Sequence, residues 1–483
     1  MSNENTVEYT TYIGLEIHIQ LLTKTKAFCS CRTSFGDEPN THVCPVCLGY
    51  PGVLPALNEN AVFKAYQVAR ALSCTLSPST VFERKNYFYP DMPKNYQISQ
   101  YAHPIGRDGY IDFPFEGGIK RVGIHDVHLE EDAGKMIHAG DITLLDYNRA
   151  GTPLLEIVTE PDLRSGEEAE AFIQYFRSAV RHMEVCDGNM EEGSLRCDAN
   201  VSVNRSGEGL GTKVEIKNLN SSRFVRLSLS YESRRHEKML REGKSLVQET
   251  RLWNENRDIT VGMRTKEESH DYRYFPEPDL PPFRPTEAFL SRVQESLEEL
   301  PLPRRKRFVE TCGVTEGQAV FLAEEKERAR FFEESIALGA DPQEAAVWLS
   351  GEVLYRLNRT GSNLGGSPLT PKRFAVILRL MADGTIHGKL GKQLLQAVFE
   401  EDKDPLQIIE EKGWKKITGE DELLPVIRSV IGSHPEAVSQ AREGEEKVLG
   451  FLMGQIMKET SGRAEPQLSR EILIREIQDK EQE

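Results

Sequence analysis

A proline-rich stretch, Phe275-Pro276-Glu277-Pro278-Asp279-Leu280-Pro281-Pro282, divides this 483-residue chain into two kinds of sequence. Neither a helix interior nor a central strand tolerates so many prolines, because each lacks an amide donor and fixes φ. Before it, apolar and polar residues alternate at period two between Gly and Asn turns. After it, apolar residues recur at three- and four-residue steps. The division predicts an α+β chain: a β-rich domain over 1–295, an all-α domain over 296–409 and a last helical piece over 410–483. Amphipathic helices are expected over 320–338, 342–357 and 371–381, with 362–368 as a loop. No internal repeat or low-complexity tract interrupts this order.

A 39% hydrophobic share suffices for a sizeable core, so the chain reads as globular and not disordered. The formal charge of -16 excludes a protein that coats nucleic acid with a bulk basic surface, while it suits a site that gathers carboxylates around divalent cations. No window approaches the roughly 18 unbroken apolar residues of a membrane span. The opening Met1-Ser2-Asn3-Glu4-Asn5 has no basic leader pattern, so a cytoplasmic protein with no membrane partner is expected.

Four of the eight cysteines cluster, Cys29, Cys31, Cys44 and Cys47 reading C-x-C, twelve residues, C-x-x-C. Two close thiol pairs and a short spacer fit a tetrahedral structural zinc knuckle, against the simpler reading of four reduced thiols in a loop. Strict alternation over Ile13–Gln20 puts Leu15, Ile17 and Ile19 on one strand face and Glu16 with His18 on the other. Asp198, Asn200 and Ser202 share a face in the same way, as do Lys213, Glu215 and Lys217. The segment His125-Asp126-Val127-His128-Leu129-Glu130-Glu131-Asp132 is dense in metal-capable groups. An ordinary half-solvated sheet shows the same alternation. If the faces converge, they form a carboxylate floor able to hold Mg²⁺ beside lysines, the setting of phosphoryl transfer from ATP.

Ser206-Gly207-Glu208-Gly209-Leu210-Gly211-Thr212-Lys213 resembles a phosphate loop but lacks the Gly-Lys-Ser/Thr order and leads into a strand, which makes it a glycine-rich hairpin loop. Hydrolase and metalloprotease signatures are absent. The aromatic runs Tyr87-Phe88-Tyr89-Pro90 and Tyr272-Arg273-Tyr274-Phe275-Pro276 lie beside Arg84, Lys85, Lys94 and Arg273. They are either core residues at strand ends or a wall for a nucleotide or an RNA acceptor end. Arg304-Arg305-Lys306-Arg307 reads as a solvated helix face.

Longer strings carry a family resemblance. Ile13-Gly14-Leu15-Glu16-Ile17-His18, Gly49-Tyr50-Pro51-Gly52-Val53-Leu54-Pro55, Arg84-Lys85-Asn86-Tyr87-Phe88-Tyr89-Pro90-Asp91, Leu129-Glu130-Glu131-Asp132-Ala133-Gly134-Lys135, Glu191-Glu192-Gly193-Ser194-Leu195-Arg196-Cys197-Asp198-Ala199-Asn200 and Asp271-Tyr272-Arg273-Tyr274-Phe275-Pro276-Glu277-Pro278 resemble the GatB family, the B subunits of aspartyl/glutamyl-tRNA(Asn/Gln) amidotransferases. Leu449-Gly450-Phe451-Leu452-Met453-Gly454-Gln455 is similar to that family's YqeY-like tail.

The resemblance implies a cradle domain with a kinase site, a helical domain and a tRNA-binding YqeY-like helical tail. It implies a ligase that uses ATP and Mg²⁺ to phosphorylate the side-chain carboxylate of Glu-tRNA(Gln) and/or Asp-tRNA(Asn). Ammonia released from glutamine by a partner amidase, GatA, then gives the amide, and a small third protein, GatC, completes the heterotrimer. Carried over by motif, Glu16, His18, Glu131 and Glu215 are Mg²⁺ ligands or their shell, with Glu130 and Glu156 beside them. Lys85, Glu131 and His18 are the catalytic candidates, Lys85 also contacting phosphate. Ser194, Arg196 and Asp198 border the nucleotide, and Cys29, Cys31, Cys44 and Cys47 hold structural Zn²⁺. No amidase signature surrounds Asn220-Ser221-Ser222-Arg223, so ammonia must be imported. The archaeal-type relative has a large inserted domain before its tail, and no such insertion is present here. The alternative, a non-catalytic tRNA-binding or assembly protein with a degenerate cradle, sits poorly with the joint presence of Glu16, His18, Glu131 and Glu215. Residues 401–483 hold 12 Lys plus Arg against 19 Asp plus Glu, so RNA contact there rests on shape and a few side chains, with Lys458 and Arg463 as candidates.

Overall fold

The computed structural model describes residues 7–263, 272–414, 417, 419–442, 445–460 and 463–479. The opening Met1–Asn5, Asp271 of the aromatic motif and the last residues of the tail, 480–483, lie outside the described residues. Two compact units divide between Arg304 and Arg305.

The first unit is built on strands β1 (Tyr9–Gln20), β2 (Thr75–Leu76), β3 (Glu83–Asn86), β4 (Tyr96–Ser99), β5 (Gly106–Phe115), β6 (Gly118–Glu131) and β7 (Lys135–Ala139). There follow β8 (Ile142–Asp146), β9 (Pro153–Thr159), β10 (Leu195–Arg205), β11 (Val214–Leu219), β12 (Glu249–Asn254), β13 (Ile259–Gly262) and β14 (Phe275–Pro276). Among the described residues, nine of them form one sheet in the order β13-β12-β11-β10-β1-β9-β6-β5-β2, while β14-β3-β4 form a second and β7-β8 a hairpin. The large sheet is antiparallel except for β11 and β12, which run parallel.

Alternation decides which face of this sheet is covered. Leu15, Ile17 and Ile19 of β1, Leu155 and Ile157 of β9, and Val127 and Leu129 of β6 are buried. They join one core with the helices over Glu59–Ala71, Gly166–His182 and Ser222–Arg241. Each such side chain contributes about 1.5–3 kcal/mol on burial, which fixes the register and leaves the opposite face to polar residues. The helices start on Asn58, Ser165 and Ser221, whose side chains accept from backbone amides two or three residues on. Residues 206–213 connect antiparallel β10 and β11 as the expected hairpin loop. Gly211 is required there, since a Cβ would stand 2.2 Å from the Val203 carbonyl oxygen.

The second unit is helical, with one apolar core around Phe308, Phe332, Phe374 and Leu394 and another around Leu423, Ile427, Leu452, Ile456 and Leu473. Here some expectations need correction. The single helix expected over 320–338 is two, Glu316–Glu324 and Lys326–Ala337, because Glu325 is extended (φ -119, ψ 131). Arg328 stabilises the break by donating to the Phe321 carbonyl, which the helix end leaves free. The helix over 342–357 contains a π turn, Leu349–Val353, and runs on to Thr360. Arg304 is not solvated: it is buried, with Nε 3.3 Å from Glu299 Oε2. Among the described residues no helix is long and apolar enough to cross a membrane.

Candidate functional site

The uncovered polar face is organised by strand register. His18 stands opposite Arg196 on β10 and opposite Glu156 on β9, and Glu156 stands opposite His128 on β6. One row of ionisable groups therefore crosses four strands. Its distances are short: Glu156 Oε2 lies 3.3 Å from His18 Nε2 and 2.9 Å from His128 Nε2. Glu130 Oε1 is 3.9 Å from His18 Nε2, so His18, Glu130 and Glu156 form one metal-capable group. In the adjoining rows Asp198 faces Glu16 and Asn200 faces Glu215. Glu16, Asp198 and Glu215 form a second group whose ligand atoms all fall within 4.8 Å of one another. Lys217 Nζ bridges Asp198 Oδ2 at 2.6 Å and Glu215 Oε1 at 2.8 Å, so part of the charge of this second group is balanced from within.

Burial and charge pull against each other on this floor. Glu130 is held above the ordinary carboxylate value by burial and by the neighbouring Glu156 charge. Burial pushes Glu156 the same way, but the charges of and hydrogen bonds with His128 and His18 win and hold it well below that value. Burial lowers His128, yet Glu156 and the Asp126 hydrogen bond (2.8 Å) overcome it and raise the imidazole to about 10. Burial also lowers His18, but its hydrogen bond to Glu156 together with the charges of Glu156 and Glu130 outweighs that and raises it. Burial pushes Glu215 up, and Lys217, with the Thr250 hydrogen bond and the Lys213 charge, more than reverses it.

The remaining candidates are placed as follows. Arg196 pairs with Asp132 Oδ1 at 3.0 Å, beside Gln20 Nε2 at 2.8 Å from Oδ2. Lys85, on β3, lies 4.9 Å from the Tyr272 ring and close enough to Glu130 to favour its charged form. Ser194 is tied outside β10, its hydroxyl donating to Asp187. The structure does not bring Glu131 into either metal-capable group. Alternation turns it to the side of Leu129, where Lys94 and the Ile98 amide (2.9 Å) bind its Oε1. The aromatic runs form a staircase: Tyr87 and Tyr272 at 6.3 Å, Tyr272 and Tyr274 at 6.1 Å, and Tyr101 stacked on Tyr274 at 4.6 Å. In the tail, Arg463 is engaged internally, Nη1 donating to the Gly413 carbonyl at 2.7 Å, whereas Lys458 is exposed. Sequence reasoning did not single out His128, Asp132 or Lys217 as site residues, though His128 and Lys217 share the alternation of Glu130 and Glu215.

The four clustered thiols form a third group, all Sγ atoms within 4.8 Å of one another. Zn–S bonds near 2.3 Å imply S···S edges of about 3.8 Å. Cys44 and Cys47 stand at 3.9 Å, and the Cys44 amide donates to Cys47 Sγ at 3.2 Å, so the donor set fits zinc. The hydrogen bond from Cys29 pulls the Cys47 thiol down to about 4, which gives the group a ready thiolate.

Comparison with known proteins settles the family. Residues 11–291 match the family described as the GatB/GatE catalytic domain, and residues 330–477 match the one described as the GatB domain. This chain belongs to the GatB family of tRNA-dependent amidotransferase proteins. Relatives named as the B subunit of aspartyl/glutamyl-tRNA(Asn/Gln) amidotransferase span almost the whole of it. That of Carboxydothermus hydrogenoformans is 47% identical, covering 96% of this chain and 98% of its own. That of Thermoanaerobacter pseudethanolicus is 48% identical over 98% and 100%, and that of Persephonella marina 46% over 97% and 99%. Membership in the GatB family supports the amidotransferase role and not the non-catalytic alternative.

Proposed function

We propose that this protein is the GatB component of a cytoplasmic tRNA-dependent amidotransferase and that the polar floor of its large sheet is the kinase site. The reaction converts the side-chain carboxylate of Glu-tRNA(Gln), Asp-tRNA(Asn) or both into the amide. It couples this to cleavage of ATP into ADP and phosphate. The observation that carries the reading is the row Arg196, His18, Glu156 and His128, joined to Glu16, Asp198 and Glu215.

Bound Mg²⁺ and ATP would supply the phosphoryl group and offset its negative charge. His18, Glu130 and Glu156, with Glu16, Asp198 and Glu215, are the donors that would hold the metal. His128 keeps Glu156 ionised and oriented from behind, and Asp126 does the same for His128. Lys85 offers an ammonium to phosphate oxygens at the rim, and Arg196 and Ser194 border the nucleotide. The tyrosine staircase gives bases of the acceptor end a face to stack on. Ammonia comes from a partner amidase, GatA, with the small GatC protein completing the complex. Cys29, Cys31, Cys44 and Cys47 hold structural zinc, which shapes their loop and has no open position for chemistry.

The test is ATP hydrolysis by the assembled complex with misacylated tRNA. Glu156→Gln should cut the tRNA-dependent rate at least about 100-fold while the complex still assembles, because the variant removes the anion shared by two imidazoles. Full activity in that variant refutes the assignment of the floor.

A further inference from the structure

Lys26 has no part in the chemistry above. It is 0% exposed, and its ammonium lies 3.1 Å from the Tyr147 carbonyl oxygen and 3.6 Å from Cys47 Sγ. Among the described residues it forms no ion pair with a carboxylate; Glu131, which lines the same cavity, is taken by Lys94, and the anionic atom within hydrogen-bond distance of Lys26 is the Cys47 sulfur. A buried ammonium is costly unless negative charge compensates it. The position is built and not incidental. The Lys26 amide donates to the Cys31 carbonyl at 2.9 Å, tying the residue's backbone to the first thiol pair while its side chain reaches the second. Gly151, at φ +87, leaves the path open: a Cβ there would stand 3.4 Å from Lys26 Cδ, 3.6 Å from Cys47 Cβ and 3.7 Å from Glu131 Oε2.

We infer that Lys26 is the charge partner of the cysteine-held zinc, its ammonium donating to the Cys47 thiolate and compensating part of the centre's negative charge. The inference rests on the zinc reading of the cluster. A dication and four thiolates sum to two negative charges, which a buried site must neutralise. One ammonium removes half of that excess, and its N–H···S hydrogen bond lowers the electron density on the thiolate. Lys26 is thus a positioning residue for the metal, acting through Cys47. Its other hydrogen bond, to Tyr147, ties the centre to the segment that follows the β7-β8 hairpin.

The experiment uses the full-length chain purified without chelator, with zinc measured by mass spectrometry and its affinity by competition against a chromogenic chelator. Lys26→Met keeps the length of the stem and removes the charge, and it should weaken zinc binding about 10- to 100-fold. Lys26→Gln, which keeps an N–H donor, should fall between the two, and it carries the same comparison if Lys26→Met does not fold. With Co²⁺ in place of zinc, the sulfur-to-metal charge-transfer band should move to lower energy in both variants, a signature that loss of packing alone does not produce. If the native chain holds about one equivalent and the variants release it at the same chelator concentration, Lys26 is not the charge partner, though zinc stands. A native chain holding less than about half an equivalent removes the zinc reading and this inference with it.

Discussion

Arg84 offers a stringent test of how the rim of the site is held. Its guanidinium grips Glu277 with two hydrogen bonds, Nε to Oε2 at 2.6 Å and Nη2 to Oε1 at 2.7 Å, and Glu277 is only 2% exposed. The bond matters because β14 meets β3 through just Phe275 opposite Arg84 and Pro276 opposite Glu83, and Pro276 has no amide to donate. In Arg84→Met the buried carboxylate keeps the Asp279 amide at 3.1 Å and little else. Removing one partner of a buried pair costs about 3–5 kcal/mol. The Arg84 side chain is 22% exposed, which points to the lower end, about 3 kcal/mol, with roughly 0.5–1 more for the lost contact over the Tyr96 ring at 4.4 Å. Trp253 is the one tryptophan before Arg305, so its emission during urea unfolding, in a Trp348→Phe, Trp414→Phe background, reads the first unit alone. Replacing both partners in Arg84→Met, Glu277→Met should restore stability to within about 1 kcal/mol, since an apolar pair needs no compensation. Lys85 rides on β3, and Tyr272, three residues before β14, accepts from the Asn86 amide at the end of β3, so tRNA-dependent ATP hydrolysis should fall in the single variant and recover in the double. A loss under about 1 kcal/mol in the single variant, or a double variant no better than the single, refutes the reasoning.

Three further outcomes are expected. Burial raises Glu232, but hydrogen bonds with His236, Thr260 and Arg235 reverse this and leave it at about 2, below the ordinary 4.5. Its roughly 3 kcal/mol of stability, at about 1.36 kcal/mol per unit, is therefore present above about pH 4.5 and lost as pH falls towards 2. Glu232→Gln should flatten that acid limb in Trp253 emission, and an unchanged slope contradicts the assignment. Gly211→Ala should cost about 1–3 kcal/mol through the Val203 carbonyl while leaving the KM for ATP unchanged, as befits a hairpin loop; a raised KM at native stability would reinstate a phosphate loop. Affinity of the isolated chain for tRNA should be modest and fall only gently with salt, at about -0.9 logarithmic units per phosphate neutralised, and a slope steeper than about -5 argues for an extensive basic surface that a charge of -16 does not provide.

Much of the site could be read from the sequence because strand alternation is a local property. Glu16 and His18 must share a face whatever surrounds them, and four thiols at that spacing need only one loop to meet. What alternation does not contain is which strands are neighbours. His18 meets Glu156 because β1 lies between β9 and β10, a pairing across 138 positions that no local pattern encodes. The same rule separates Glu130 from Glu131. Adjacent in a metal-rich string, they looked like one group, yet period two sends the first to the floor and the second to Lys94 on the other side. Glu325 escaped for a different reason: the apolar steps of 320–338 continue across it, and the break is held by Arg328, which reaches back to the Phe321 carbonyl and to Glu325 itself at 3.2 Å.

The charge balance of the floor makes its own case for a divalent cation. Asp132 is matched by Arg196 and Arg149. Around it, Glu16, Asp126, Glu130, Glu156, Asp198 and Glu215 face Lys217, Lys213, His18, His128 and, from the rim, Lys85. With the imidazoles neutral, the form that ligates a metal, the seven carboxylates including Asp132 exceed the five cations Arg149, Arg196, Lys85, Lys213 and Lys217, and the strain surfaces at Glu130, the most deeply buried of the seven, whose carboxyl is pushed towards its neutral form. In the first unit the helices over Glu59–Ala71, Gly166–His182 and Ser222–Arg241 pack on the opposite face of the sheet. A small cation with several charges relieves the excess where oxygen ligands are already gathered, and it restores Glu130 to the ionised state in which it can ligate. The acidic balance that argues against a basic RNA-coating surface is thus, on this floor, what the proposed metal-assisted phosphoryl transfer draws on.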